Sequence, residues 1–542
     1  MLKRVSFFVG RHGSFARHAA VALLSMQPGN HALAATQTAA VGDAAERFDV
    51  LEFRVLGNSL LANAVIERAV YAHLGAGRSF QDVEAARLGL EKAYRDAGYA
   101  SVFVDIPEQQ IEDGIVRLRA TEGRLDRVLV TGARYFDNGA IRAALPALQS
   151  GQAPNLPALQ TQLTQLNRAT ADRQIVPLLK SGRAPGTLDV ELKVVDQLPL
   201  HASLELNDRY TADTERLRLN ASISYNNLFQ RQHGLTLQYQ TAPEDPDNSS
   251  AIIGSYVFRV PSWTDTTFAL FAVDSSTDVA ALGTLSVLGD GQIFGARAFH
   301  SLPQQEQFAH SLTFGVDYKD FIEDIRLVED PALVTPIQYL NWSVGYTATL
   351  GAEGSTTGIS LGANFGIRRF VNDAEQFELK RFKGSPNYFY VRGGIEHLQT
   401  LPWNFKLFAR LAGQFTQDAL VSNEQYAIGG ADTVRGYLES SQLGDYGFSG
   451  SLELRTAAPF RLLDLGADAA YLMLFYDAGV VAVVDPLPSQ ARQFDLASWG
   501  GGFRVNAWHG LSLALDWARA FTPSGTVLDG DDRVHFYIRY SF

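Results

Sequence analysis

Two short segments of this chain hold residues whose types could act on each other. One reads Ile428-Gly429-Gly430-Ala431-Asp432-Thr433-Val434-Arg435-Gly436-Tyr437, the other Leu474-Phe475-Tyr476-Asp477-Ala478-Gly479-Val480. Arg435 and Asp477 stand 42 residues apart. The chemistry they offer is grip rather than bond-making. A guanidinium keeps its charge and can donate two parallel N–H bonds to one carboxylate. Gly436 lets the backbone turn tightly beside it, and Tyr437 adds apolar area with a hydroxyl at its end. In wet surroundings such a pair contributes about 1 kcal/mol. In dry surroundings, losing one partner costs about 3–5 kcal/mol.

Catalytic chemistry has little support. The chain contains no Cys, which excludes thiol nucleophiles, thiolate metal sites and disulfides. It contains no P-loop and no HExxH, and Gly447-Phe448-Ser449-Gly450 falls short of a GxSxG elbow. The acidic run Asp529-Gly530-Asp531-Asp532 reads as a solvated hairpin tip in preference to a cation site. The expectation is therefore no enzyme, no metal and no cofactor. A net charge of −12 argues against nucleic acid as the main partner. It leaves both an ordinary solvated surface and an acidic pore lining open.

A grip of this kind needs walls. From residue 198 to the end the sequence alternates with period two. Leu217, Leu219, Ala221, Ile223 and Tyr225 share one face, and Arg218, Asn220, Ser222, Ser224 and Asn226 the other. Leu235, Leu237 and Tyr239 oppose Thr236, Gln238 and Gln240. Phe405, Leu407, Ala409 and Leu411 oppose Lys406, Arg410 and Ala412. Leu511, Leu513, Leu515 and Trp517 oppose Ser512, Ala514 and Asp516. A soluble sandwich alternates too. Three features favour a transmembrane β-barrel instead. Many strands reach the roughly 9–11 residues that cross a bilayer when tilted. Their polar faces carry charges and amides, as a wet lumen would. Aromatic residues cap many of them, as interfacial girdles do. The count is about sixteen antiparallel strands, an even number as bacterial barrels require. Closure pairs every backbone amide, and a ring of that size encloses a channel.

The end of the chain repeats the pattern to its last residue. Val534, Phe536, Ile538, Tyr540 and Phe542 face one way, Arg533, His535, Tyr537, Arg539 and Ser541 the other. At the start, Lys3, Arg4, Arg11 and Arg17 precede the short apolar run Ala19–Met26. Pro28, Gly29 and then Ala32-Leu33-Ala34 follow it. This reads as a secretory signal peptide over residues 1–34, and the run is far short of a membrane helix.

Between these regions, residues 47–197 mix helices and strands. Expected are a strand at Phe48–Val55, helices around Leu60–Leu74 and at Phe80–Ala97, and strands at Ala100–Ile106 and Gly114–Thr121. Val83, Ala86, Leu88, Leu90 and Ala93 supply the second helix with an apolar face, and Gly98 ends it. The β-α-α-β-β order then recurs: strand Leu125–Thr131, helices Asp137–Leu148 and Leu156–Asn167, strands Gln174–Lys180 and Thr187–Asp196. Two copies of one topology form an internal repeat, over 47–122 and 123–197.

Three sets of residues carry a resemblance. Val434-Arg435-Gly436-Tyr437 resembles the signature of the sixth extracellular loop in the outer-membrane translocase and insertase superfamily. Phe475, Asp477 and Gly479 resemble its barrel-wall partner motif. In that superfamily the loop folds back into the barrel and its Arg meets the Asp. The resemblance thus implies an Arg435–Asp477 salt bridge and an inward-folded loop at about 417–446. Either motif alone would fit an ordinary loop arginine or lumen carboxylate. Gly98-Tyr99, Pro107-Glu108-Gln109, Gly114-Ile115-Val116-Arg117-Leu118 and Glu122-Gly123-Arg124 are similar to the first POTRA domain of two-partner-secretion transporters (TpsB-type, the haemolysin secretion/activation family). Gly186-Thr187-Leu188-Asp189-Val190 is similar to their second POTRA domain, and Ser255-Tyr256-Val257-Phe258-Arg259-Val260-Pro261 to an early barrel motif.

The likeness covers residues 47–542. It implies two periplasmic α+β POTRA domains before an outer-membrane β-barrel over 198–542. Such a protein moves an unfolded TpsA-type exoprotein to the cell surface without nucleotide hydrolysis. Phe536, Ile538, Tyr540 and Phe542 look like the C-terminal assembly signal read by the barrel-assembly machinery. Expected partners are the exoprotein, that machinery and outer-membrane lipid, with the transporter a monomer and no nucleic acid. The alternative is a barrel-assembly-type insertase, and a passive porin is a third class. Many transporters of the group also begin with a pore-plugging helix. Here about a dozen residues separate the expected cleavage site from the first domain, too few for helix and linker, so sealing is expected to fall on the sixth loop.

Overall fold

The computed structural model describes residues 47–542 apart from 213, 247–248, 277–278, 283–284, 289, 326–332, 457–469 and 507–509. The expected signal peptide and the stretch after it lie outside the described residues. The chain divides into two units between Leu198 and Pro199.

The first unit holds the repeat. In the first copy Glu52–Leu56 pairs parallel with Ile115–Glu122, which pairs antiparallel with Val102–Asp105. In the second, Arg124–Thr131 pairs parallel with Thr187–Asp196, which pairs antiparallel with Arg173–Ser181. Both sheets therefore run first strand, last strand, middle strand. Helices Asn63–Val70 and Phe80–Asp96 serve the first copy, Asn138–Ala143 and Leu156–Arg168 the second. Helix Phe80–Asp96 opens on a capping box between Ser79 and Asp82, which satisfies two otherwise orphaned amides. It buries Val83, Ala86, Leu90 and Tyr94, a helical stripe against the sheet.

Several expectations need correction here. Leu88 is 48% exposed, because two positions past Ala86 is the far side of the helix. The strand expected at Phe48–Val55 is two strands. Phe48–Val50 pairs with an unforeseen strand, Gly75–Arg78, while Glu52–Leu56 joins the main sheet. The backbone changes partner at Leu51, whose N–H donates to the Gly114 carbonyl. The helix expected around Leu60–Leu74 spans Asn63–Val70 and tightens into a single 3-10 turn, Tyr71–His73. The helix expected at Asp137–Leu148 stops at Ala143. Pro146 lacks an N–H and disfavours a helical residue before it, so the turn cannot continue.

The second unit is a closed barrel of sixteen antiparallel strands. Its last strand, Asp532–Ser541, returns to the first, Leu200–Asn207, with Tyr537 opposite Asn207 and Ser541 opposite Ser203. Phe542 and Ala202 exchange reciprocal backbone bonds of 3.0 Å each at that seam. The barrel is apolar outside and polar inside. Ile223, Leu237, Leu270, Leu361, Leu411, Leu474, Leu515 and Ile538 all point outward and are exposed. A continuous belt of this kind is untenable in water and suits hydrocarbon. Asp317, Lys319, Asn341, Gln414, Glu453, Asp477 and Asp516 are buried on the inner side. Val534, Ile538, Tyr540 and Phe542 are exposed on the outer face of the last strand, and Phe536 is half-buried there. His535 between them is buried inward.

Candidate functional site

Strands Lys406–Thr416 and Tyr446–Arg455 are joined by a long connection, the sixth on the rim away from the N-terminal entry. It folds into the lumen. A short ladder of Tyr426–Ile428 against Gln442–Gly444 forms its stem. At its tip Val434, Arg435, Gly436, Tyr437 and Leu438 are all buried.

Strand Ala470–Ala482 supplies the facing wall. Leu472, Leu474 and Tyr476 point outward, so period two turns Met473, Phe475 and Asp477 inward. The structure brings Arg435 and Asp477 together as a two-pronged fork. Arg435 Nε donates to Asp477 Oδ2 at 2.6 Å and Nη2 to Oδ1 at 2.8 Å. The Arg435 backbone N–H adds a third bond to Oδ2 at 3.2 Å. Asp477 is 0% exposed and Arg435 4%, which puts the pair in the dry regime. The guanidinium carbon lies 3.5 Å from the Phe475 ring centroid, so the ring face adds cation–π attraction.

The other motif residues complete the socket. Gly436 has φ +94, a backbone state costly for any residue with a Cβ, and its N–H donates to His535 Nε2 at 3.1 Å. The Tyr437 hydroxyl donates toward the carbonyls of Ala497 and Thr522, 2.9 Å from each, and accepts the Thr522 N–H at 3.1 Å. Val434 is fully buried in the same cluster. A Cβ on Gly479 would lie 3.2 Å from side-chain carbons of both Ile428 and Val434. That glycine provides room for the loop.

Sequence reasoning missed several partners. Arg435 Nη1 lies 2.9 Å from Glu453 and 4.0 Å from Asp516, and Nη2 donates to Ser451 Oγ at 3.0 Å. Glu453 also pairs with Arg455 at 2.7 Å, and Asp516 with Arg504 at 2.5 Å. Three guanidiniums thus balance three carboxylates on one stretch of wall. Asp432 at the tip pairs with Arg209 at 2.6 Å. Strand parity marked Asp516 as inward. Chain order gives the strands that flank Asp477, but not which of their inward side chains the loop tip reaches.

Two sequence patterns stand in other surroundings in the fold. The chain does contain one GxSxG spelling, Gly358-Ile359-Ser360-Leu361-Gly362, but it lies inside strand Ser355–Gly366 and forms no strand–turn–helix elbow. In the 529–532 run, Asp532 pairs with Arg519 at 2.8 Å and Asp531 accepts the Leu528 N–H at 2.7 Å. Among the described residues no group of three His, Cys, Asp or Glu side chains is placed to hold a metal ion.

Comparison with known proteins follows the same architecture. Residues 186–505 match the model of the haemolysin secretion/activation protein family ShlB/FhaC/HecB, and residues 48–123 match the ShlB-type POTRA domain. The chain belongs to the haemolysin secretion/activation family. It is 20% identical over 435 residues to the outer membrane transporter CdiB of Dickeya dadantii (strain 3937), covering 74% of this chain and 71% of that one. For CdiB of Escherichia coli O6:K15:H31 (strain 536 / UPEC) the figures are 21% over 421 residues, 74% and 67%. Among solved structures, CdiB from Escherichia coli superposes with a TM-score of 0.61 at 17% identity, covering 94% of this chain and 93% of that one. BamA from Haemophilus ducreyi lacking POTRA domains 1–3 superposes at 0.55 and 14% identity, covering 91% and 100%. At these identities the structures share the fold. As a member of this outer-membrane transporter family, the protein sits in the outer membrane with its POTRA domains in the periplasm.

Proposed function

We propose that this family member carries an unfolded TpsA-type exoprotein from periplasm to cell surface, with the loop at 417–445 as its gate and without nucleotide. The observation that supports this most is the buried Arg435–Asp477 fork, which holds a loop tip inside the lumen of a POTRA-bearing barrel. A wide pore that leaks must be stoppered at rest, and a pinned loop is a reversible stopper. The POTRA sheets leave Glu52–Leu56 and Val102–Asp105 at the edges of the first copy, and Arg124–Thr131 and Arg173–Ser181 at those of the second. An amphipathic segment of the exoprotein adds to such an edge by β-augmentation and is handed to the pore. The loop gives way, and folding outside the cell makes the passage directional. The transporter works as a monomer in outer-membrane lipid, and Phe542 ends the segment that the barrel-assembly machinery recognises.

A secretion assay with Arg435→Ala tests the gate. Export should depart from its wild-type rate while folded barrel remains abundant in the outer membrane. Full export at wild-type barrel abundance counts against the loop tip. The BamA-like fold also suits an insertase of other barrels. Depletion separates the two readings, because an insertase loss lowers outer-membrane proteins in general, whereas a dedicated transporter loss removes one exoprotein.

A further inference from the structure

The same loop carries two buried carboxylates that neither motif includes, Glu424 and Asp445. Glu424 is 2% exposed. Its Oε1 accepts from Lys319 Nζ at 2.5 Å and from the Tyr339 hydroxyl at 2.6 Å, and its Oε2 from the Tyr390 hydroxyl at 2.7 Å. The three donors stand on three strands, Phe308–Ile325, Leu333–Ala352 and Phe389–Thr400. A fourth strand contributes Gln414, whose Nε2 donates to the Glu424 carbonyl at 2.9 Å. Leu420 and Val421, just before Glu424, are buried in the apolar cluster around Tyr339. The return limb is pinned as well. Asp445 is 0% exposed and accepts from the N–H groups of Leu420 at 2.9 Å and Val484 at 2.7 Å, and from Gln425 Nε2 at 2.9 Å.

Arg435 grips a different arc, on Tyr446–Arg455, Ala470–Ala482 and Leu511–Ala520. Between the stem ladder and the tip lie Gly429 and Gly430, at φ +104 and +100. A Cβ on Gly430 would fall 2.2 Å from the Glu439 carboxylate, so this joint is built for glycine. The loop therefore has two separately anchored parts joined at a glycine pair.

We propose that Glu424 is a positioning residue that anchors the loop base, so that release of Arg435 frees only the tip from Gly429 to about Ser441 while base and stem stay on the wall. The inference rests on the gate reading above and narrows it to a moving tip. Removing either member of a buried ion pair strands the other, which is why the base stays put when only the tip is disturbed.

The chain has no Cys, so single thiols report on each part. Ala431→Cys marks the tip and Ala427→Cys the stem, with a membrane-impermeant maleimide applied to intact cells. In an Arg435→Ala background, labelling at 431 should rise about tenfold or more while 427 stays at its starting rate. Adding Glu424→Gln should raise 427 as well. Folded barrel is followed by heat-modifiable gel mobility. If Glu424→Gln lowers it, Lys319→Met removes only the cation and should give the same separation. Equal gains at 427 and 431 with Arg435→Ala alone would overturn the anchored base and leave the gate standing. No change at 427 in the double variant would overturn the role of Glu424. No gain at either position with Arg435→Ala would remove the gate itself.

Discussion

Replacing Asp477 with Asn changes a charge and almost no volume. The amide keeps one acceptor but turns an NH2 group toward a guanidinium that can only donate. Of the two side-chain bonds of 2.6 and 2.8 Å one is lost outright and the other keeps only a neutral acceptor, and the backbone bond at 3.2 Å weakens with them. Breaking a buried pair outright costs about 3–5 kcal/mol. Glu453 remains 2.9 Å from Arg435 Nη1, which brings the expected loss to about 2–3 kcal/mol. If that energy holds the tip closed, the closed-to-open ratio falls about 30- to 140-fold. Single-channel recording of the purified full-length protein in planar bilayers reads that ratio as open probability. Arg435→Ala should give a comparable gain, and the double variant little beyond either single one, because the partners act as a unit. Native open probability in Asp477→Asn, from barrels with native heat-modifiable mobility, would refute the reasoning.

Other expectations follow from the same geometry. Arg435→Lys keeps the charge but loses the fork, so its open probability should fall between wild type and Arg435→Ala. Gly479→Val places branched carbon where Ile428 and Val434 already lie at 3.2 Å from a Cβ. It should displace the tip and raise conductance, whereas Gly479→Ala should do so weakly. Deleting Phe542 removes the terminal aromatic and both of its backbone bonds to Ala202, so folded barrel in the outer membrane should drop, as scored by heat-modifiable mobility on gels. Reconstituted proteoliposomes should move unfolded exoprotein without nucleotide, and a requirement for ATP would remove that part of the reading.

The barrel was legible because a half-wet strand writes its faces into alternate residues, and Leu511–Ala520 or Asp532–Ser541 can be read without a partner. The POTRA topology was legible from the order of periods. Finer features were not. Gly75–Arg78 is Gly-Ala-Gly-Arg, which has no apolar alternation to betray a strand. Pro146 did forecast the early end of its helix, but the apolar residues around it masked the signal. Arg435 and Asp477 stood out through the resemblance of their two motifs and the order in which these occur. Asp516 had the right parity but no label, and Glu453 went unread, since which inward side chains a folded-in loop reaches is not written in the strand order. Glu424 had no signal at all. Its donors lie 105, 85 and 34 residues away in sequence, and a loop acid surrounded by Ser, Asn and Gln looks solvated.

The wall around the tip is charge-balanced, and that balance bears on how a latch can be firm yet reversible. With the loop in place, Arg435, Arg455 and Arg504 face Asp477, Glu453 and Asp516. When the tip leaves, Glu453 keeps Arg455 and Asp516 keeps Arg504, so Asp477 alone loses its cation. In a dry cavity that stranded charge would cost several kcal/mol. In the proposed gate, however, the lumen fills with water as the tip departs, and a hydrated carboxylate needs no partner. The cost is therefore concentrated in the first step, before water enters, and largely refunded afterwards. A latch with that profile resists small fluctuations, yields to a chain that pushes it past the dry stage, and leaves behind a wall with one excess negative charge among paired ones. Such a wall has few strong sites at which a passing polypeptide could stick.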